Sequence, residues 1–359
     1  MGISDLLLLG SESDLNSERG VSCDGQLPAA SDPQLVDRAQ VARKALGSKA
    51  MVLGHHYQRD EVIAFADIRG DSFKLAQAAA ENSAAEFIFF CGVHFMAESA
   101  DILTTKNQKV ILPDLAAGCS MADMATASQV QDCWQVLEKL GVAKKTIPIT
   151  YMNSSAAIKA FTGKNHGAVC TSSNAARAMK WAFEKGEKIL FLPDQHLGRN
   201  TSVLSLGLTL SDCVTYNPWK PNGHGRFTVG NIEDVRVKLP GVKVLVHPEC
   251  QHDVVSNADV VGSTEMIIKT VANSPAGAKW AIGTELNLVQ RLANENPDKQ
   301  IVFLDKTVCY CSTMNRIDLP HLVWAMESLV SGRLINQIKV DDEVAKYAKV
   351  ALDQMLALP

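Results

Sequence analysis

VLGHHYQ, Val52–Gln58, is a short apolar run that ends in two imidazoles, a phenol and an amide. Such a run reads as a buried β-strand with a polar tip, and the carboxyl ends of strands are where open α/β sheets place their chemistry. Two later stretches follow the same pattern: ITYMNSS at Ile149–Ser155 and VLVHPEC at Val244–Cys250. Each is followed by a loop of hydroxyls, GDS at Gly70–Ser72, TSSN at Thr171–Asn174 and GST at Gly262–Thr264. His55 and Ser72 lie 17 residues apart, Asn153 and Ser172 19, and His247 and Thr264 17. A third polar loop follows at His94, Gln195 and Glu285, which lie 22, 23 and 22 residues after Ser72, Ser172 and Ser263.

Three matching intervals read as one unit built three times. Short apolar runs alternating with helical stretches imply parallel strands joined by crossover helices, so the expected class is α/β. The units are expected at 32–143, 144–224 and 225–318. A leader at 1–31, rich in Ser, Gly and Asp, precedes them and is expected to be disordered. Two amphipathic helices, LPHLVWAMESLV and DDEVAKYAKVALDQML, fill 319–359 and are expected to pack back on the first unit.

The fourth loop carries cysteine. LPDLAAGCSMADM, Leu112–Met124, reads as a strand end, a tight loop bearing Cys119 and the start of a helix. His94 to Cys119 is 25 residues and Glu285 to Cys311 is 26, so the first and third units each place a cysteine after their fourth strand. The middle unit should do so near Lys220. It reads CVTYNPWKPNGHGRFT from Cys213 to Thr228 instead, with Cys213 early.

Composition narrows the function. The 359 residues carry a net charge of −4 and 6% aromatics with no basic run, which argues against a nucleic-acid surface. No apolar run approaches a membrane span, and LLLL at Leu6–Leu9 lacks the basic flank of a secretion signal, so a cytoplasmic protein is expected. The nine cysteines are scattered and odd in number, which disfavours a disulfide framework and leaves ligation, nucleophilic chemistry or packing.

If the three units meet with their strand ends facing one another, one central cavity collects His55, Tyr57, Ser72, Tyr151, Asn153, Ser172, His247, Glu249 and Thr264. Hydroxyls and amides there suit carboxylates or phosphate, and His and Glu suit proton transfer. Taken singly, each has a plainer reading: a hydrogen-bonded histidine, a tyrosine closing the core, or a Ser or Thr capping a helix. Dispersed cysteines, one per unit, suit an iron–sulfur cluster better than zinc, although zinc held by Cys and His stays open.

The blocks GHHYQRDEV, GDSFKLAQ, FCGVHFMAESADIL, PDLAAGCSMADM, TYMNSSAAIKA, TSSNA, PDQHLG, HPE, VGST and CYCSTMNRIDLPHL occur in that order. From His55 almost to the C-terminus the chain resembles the quinolinate synthase family of de novo NAD biosynthesis. The resemblance implies three homologous α/β/α units about a pseudo-threefold axis and a [4Fe–4S] cluster held by one cysteine from each. It implies condensation of iminoaspartate (iminosuccinate) with dihydroxyacetone phosphate to quinolinate, with loss of phosphate and two waters. The enzyme that makes iminoaspartate is then an expected functional partner, with neither nucleic acid nor membrane involved.

Cys119 and Cys311 fall on the family's first and third ligands. His55, Ser72, Tyr151, Met152, Asn153, Ser172, His247, Pro248, Glu249 and Thr264 fall on substrate-contacting positions, with Tyr57, His247 and Glu249 the candidates for proton transfer. The departure is in the middle. Relatives carry W-x-G-x-C-x-x-H between PDQHLG and HPE, whereas this chain passes from PWKPNG to HGRFT as if a segment ending near His224 were removed. Cys213 is the candidate substitute, and the alternative is a cluster-deficient, non-catalytic deletion form or paralogue.

Overall fold

The computed structural model describes residues 27–82, 84–213, 227–305 and 311–358. Most of the expected leader, the position near Lys220, His224 and Cys309 lie outside them. The described chain is α/β, with parallel strands alternating with helices.

Helix α1 (Leu35–Leu46) leads into β1 (Ala50–His55), whose six residues are all buried. The short α2 (Asp60–Ile63), β2 (Ile68–Gly70), α3 (Ser72–Glu81), β3 (Phe87–Cys91), α4 (His94–Leu103) and β4 (Lys109–Ile111) follow. Burial on both faces explains why β1 and β3 read as apolar runs rather than alternating ones. The second block runs α5 (Ala127–Lys139), β5 (Thr146–Tyr151), α6 (Ala156–Lys164), β6 (Ala168–Cys170), α7 (Ala175–Lys185), β7 (Lys188–Leu192) and α8 (Gln195–Leu206). The third runs α9 (Val229–Lys238), β8 (Lys243–Val246), α10 (His252–Asn257), β9 (Val260–Val261), α11 (Thr264–Ala272), β10 (Lys279–Gly283), α12 (Leu286–Glu295) and β11 (Gln300–Phe303).

These strands make three sheets. Their orders are β4-β3-β1-β2, β7-β5-β6 and β11-β10-β8-β9, so the first and third match strand for strand. Among the described residues the middle sheet has the same order without a fourth strand. Every pairing among these strands is parallel.

The two terminal helices form where their periodicity places them, as α13 (Leu319–Val330) and α14 (Asp342–Ala357). Helix α13 packs on α1 through Leu319 and Val323 against Leu35 and Ala39, with Arg38 forked onto Glu327 at 2.8 and 2.6 Å. Between the helices, β12 (Gln337–Ile338) adds to the first sheet antiparallel to β4. Expectation and structure part at α14, which packs mainly against α6 of the second block and only partly on α4 of the first. Gly163 explains the choice. A Cβ there would stand 2.0 Å from the Tyr347 carbonyl, so only glycine lets the two backbones approach. Ala348, Ala351, Leu352 and Met355 are buried by this seat, the two larger ones contributing about 1.5–3 kcal/mol each.

A second difference concerns the Cys119 loop. The helix expected to begin just after it starts only at Ala127, where Thr126 and Gln129 form a reciprocal capping box. Ser120–Asp123 make turns, closed by the Asp123 N–H on the Cys119 carbonyl at 3.1 Å.

Candidate functional site

The carboxyl ends of β1, β5 and β8 face one cavity of about 270 Å³, at the small end of ligand pockets and suited to a metabolite rather than a dinucleotide. His55, Tyr57, Ser72, Tyr151, Asn153, Ser172, His247, Glu249 and Thr264 line it, as do Cys119 and Cys311. Met152, Pro248 and Cys213 do not. Met152 turns inward, where its sulfur receives the Ser99 hydroxyl at 3.4 Å. Pro248 contributes its carbonyl to Asn200 rather than a face to the cavity.

The blocks are stitched together at this cavity by side chains. The Tyr57 hydroxyl, from the first block, sits 2.9 Å from both Thr264 Oγ1 and Thr284 Oγ1 of the third. Burial first, and the Glu249 charge second, push its phenol well up, so Tyr57 keeps its proton and acts as a donor. The Tyr151 hydroxyl, from the second block, donates to Glu249 Oε1 of the third. Its phenol is raised by burial and then by the same carboxylate. Ser173 Oγ of the second block donates to Asp71 of the first at 2.8 Å.

His247 and Glu249 form the centre of this network, both about 2–3% exposed. Nε2 of His247 lies 3.2 Å from Ser172 Oγ. Nδ1 lies 3.3 Å from Glu249 Oε2 and 3.4 Å from the Glu249 N–H. A bare Nδ1 accepts from the N–H and a protonated one donates to the carboxylate, so the ring can hold or release a proton without moving.

His55 behaves differently. Burial, followed by the charges of His56 and Arg291, pulls it down to about 3, so its imidazole is neutral. Nδ1 accepts the Tyr57 N–H at 3.2 Å, which leaves the proton on Nε2 as a donor. Arg291 on α12 fixes the loop from outside, donating to the carbonyls of His56 at 2.8 Å and Gln58 at 2.6 Å and to Asp60 at 2.5 Å.

The plain reading of the hydroxyls as caps falls to their neighbours. Asp71 caps α3 by accepting the Lys74 N–H at 2.9 Å, and Ser263 caps α11 by accepting the Met266 N–H at 3.4 Å. Ser72 and Thr264 are therefore the first helical residues, and the amino ends of α3 and α11 meet the cavity, where backbone N–H groups favour anions.

The two cysteines come from the loops after β4 of the first block and β11 of the third. Burial pushes Cys119 up to about 12, against which backbone N–H groups of Ala122 and Met121 act, and Cys311 is raised by burial with Thr313 and Met314 opposing. Such N–H groups aimed at sulfur suit thiolate ligands. Asp114, five residues before Cys119, receives Arg316 Nε at 3.0 Å, and Arg316 follows Cys311 by five. This partly buried ion pair ties one cysteine loop to the other, with His321 bridging Asp318 at 2.7 Å and Asp114 at 3.8 Å. The donor set fits two corners of a cluster. Among the described residues no group of three His, Cys, Asp or Glu side chains forms a metal site, and Cys213 ends a single turn at Leu210–Asp212 away from the cavity lining. The seven described cysteines are free thiols.

Several lining residues were not singled out in the sequence. Asp71 and Thr284 sit in the GDS and GTELN loops, and position in a repeated loop was their signal. Glu285, which the spacing had marked only as a polar loop, also lines the cavity; it caps α12 through the Leu288 N–H at 3.2 Å, and burial lifts it to about 7. Thr313, whose hydroxyl lies 3.4 Å from the Cys311 sulfur, carried no signal of its own.

Comparison with known proteins identifies the family. The family described as NadA, Quinolinate synthetase A protein, matches residues 39–357. The quinolinate synthase of Streptomyces coelicolor is 64% identical over 377 residues, spanning 99% of this chain and 96% of its own length. That of a Nocardioides species is 60% identical over 388 residues, spanning 100% and 98%, and that of Geobacillus kaustophilus is 53% identical, spanning 90% and 94%. The first two alignments are longer than this 359-residue chain, so those relatives carry residues with no counterpart here.

Proposed function

The chain belongs to the quinolinate synthase family, and from that premise we propose that it condenses iminoaspartate with dihydroxyacetone phosphate to quinolinate, phosphate and two waters. The observation that carries this reading is the meeting of Tyr151, Glu249, His247 and Ser172 from two blocks across one small cavity. In this reading the three blocks are homologous units about a pseudo-threefold axis, and their like strand orders support it.

The amino ends of α3 and α11, with Ser72, Thr264, Asn153 and the Nε2–H of His55, hold the carboxylates and the phosphate. Glu249 takes a proton from the carbon that becomes part of the ring, and His247 relays it, being in reach of both Glu249 and Ser172. Tyr57 and Tyr151 keep their protons and donate to substrate oxygens. The blocks close around the substrates and exclude the water that would hydrolyse the imine. A [4Fe–4S] cluster on Cys119 and Cys311 would supply a Lewis-acid iron when bound. The enzyme that makes iminoaspartate would supply the unstable substrate, and the setting is cytoplasmic.

The test is an anaerobic assay of the full chain, reconstituted with ferrous iron and sulfide, for quinolinate from the two substrates. Glu249→Gln is expected to abolish product while leaving the urea unfolding midpoint in place. Near-normal turnover in that variant would overturn the assignment. The absence of Cys213 from the cavity lining favours a second reading, a non-catalytic form without a stable cluster. Iron and acid-labile sulfide contents separate the two, and Cys213→Ser then shows whether that thiol is recruited.

A further inference from the structure

We propose that Asn200 is the residue that aims Glu249, an inference that rests on Glu249 being the working carboxylate. Asn200 lies on α8 in the second block, fully buried and outside the cavity lining. Its Nδ2 donates to the Pro248 carbonyl at 2.8 Å and to the Cys250 carbonyl at 2.8 Å. These are the two carbonyls on either side of Glu249, so a single amide from a neighbouring block pins the backbone of that residue before and after it.

The donor pattern leaves no choice of orientation. Carbonyls only accept, so the Asn200 NH2 group must face them and its Oδ1 must face His252. Nδ1 of His252 stands 2.8 Å from that oxygen and therefore carries a proton. His252, on α10 of the third block, thus fixes the amide that fixes the loop.

The carboxylate end of Glu249 is received by the Tyr151 hydroxyl, also from the second block. The flanking backbone and one carboxylate oxygen of this third-block residue are accordingly both held by the second block, while the other oxygen lies 3.3 Å from His247 Nδ1. Within its own block the loop is held more loosely, by the long Glu249 N–H to His247 Nδ1 contact at 3.4 Å and the Cys250 N–H to His247 carbonyl bond at 3.0 Å. Asn200 touches no substrate. It acts through Glu249, as a positioning residue, and displacement of a reacting group by about 1 Å can cost about 100-fold in rate.

Asn200→Ala removes both donors, and Asn200→Asp turns a carboxylate oxygen toward two carbonyls. Hydrogen–deuterium exchange over residues 246–252 reads the clamp without needing turnover. Exchange there is expected to rise about tenfold in both variants, the effect of losing roughly 1.4 kcal/mol of hydrogen bonding, while β8 stays protected. In the turnover assay kcat is expected to fall about 100-fold with KM for dihydroxyacetone phosphate within about threefold. His252→Gln, which can still donate to Oδ1, is expected to retain most of kcat and serves as the conservative comparison should Asn200→Ala fold poorly. Unchanged exchange in folded Asn200 variants overturns the clamp, and faster exchange with kcat within twofold overturns the positioning role. If the unsubstituted chain makes no quinolinate, the functional reading fails by itself and the exchange experiment still decides the clamp.

Discussion

Replacing Arg316 by Met tests whether the partly buried ion pair between the two cysteine loops holds them together. Asp114 is 2% exposed at its side chain and Arg316 23%, and their N···O separation is 3.0 Å. With the guanidinium gone, the Asp114 carboxylate keeps the Ala116 N–H at 2.9 Å and the more distant His321 ring at 3.8 Å. Removing one partner of a buried pair costs about 3–5 kcal/mol because the other charge is left uncompensated, and the partial exposure of Arg316 places the cost at about 3 kcal/mol. Asp114→Asn in the same chain removes the stranded charge and should restore at least about 1 kcal/mol, so the double variant is more stable than the sum of the single losses. Urea unfolding of the metal-free chain and its three variants, read by tryptophan fluorescence and far-ultraviolet circular dichroism, closes this cycle. A loss below about 1 kcal/mol for Arg316→Met, or strict additivity in the cycle, would refute the claim that this pair joins the loops. If the proposed cluster forms on Cys119 and Cys311, the same Arg316→Met chain should also take up less iron on anaerobic reconstitution, since the two loops that carry these cysteines lose the ion pair between them.

Gly163→Ala should destabilise the chain by roughly 2 kcal/mol or more although alanine is the better helix former, because its Cβ would meet the Tyr347 carbonyl at 2.0 Å. Urea unfolding measures the loss, and limited proteolysis should cut the loosened α14 first. His55→Gln should flatten the acid limb of the stability curve. His55 is held neutral down to about pH 3 in the fold but takes up a proton near 6.5 when unfolded, so its contribution is present above 6.5 and is lost as pH falls toward 3. Removing it should reduce the slope between those values by up to about 1.4 kcal/mol per pH unit, measured by urea unfolding at a series of pH values. An unaltered slope would mean that His55 is charged in the native protein.

The strand–loop–helix order was legible in the residues because it rests on local chemistry. Short apolar runs such as Val244–Val246 and Phe87–Cys91, bounded by polar and turn-forming residues, read as buried strands with loops after them, and both are strands in the structure. The repetition of those tips at near-equal spacing groups His55, Tyr57, Ser72, Tyr151, Asn153, Ser172, His247, Glu249 and Thr264, and all of them line the cavity. Met152 and Pro248 share that sequence neighbourhood without facing the cavity, because a loop can turn one residue in and its neighbour out, and spacing does not record which.

The sequence by itself determined the α/β class, the strand tips that carry chemistry and the two cysteine loops, since each follows from the order of residue types along a few turns of chain. Only the tertiary structure decided which partners those tips meet. That α14 seats on α6, that Asp114 and Arg316 join loops about 200 residues apart and that Asn200 reaches the carbonyls flanking Glu249 are all contacts between distant segments. Their energies depend on distances that no local pattern encodes: one missing Cβ at Gly163, one guanidinium within 3.0 Å of a buried carboxylate, and one amide between two carbonyls.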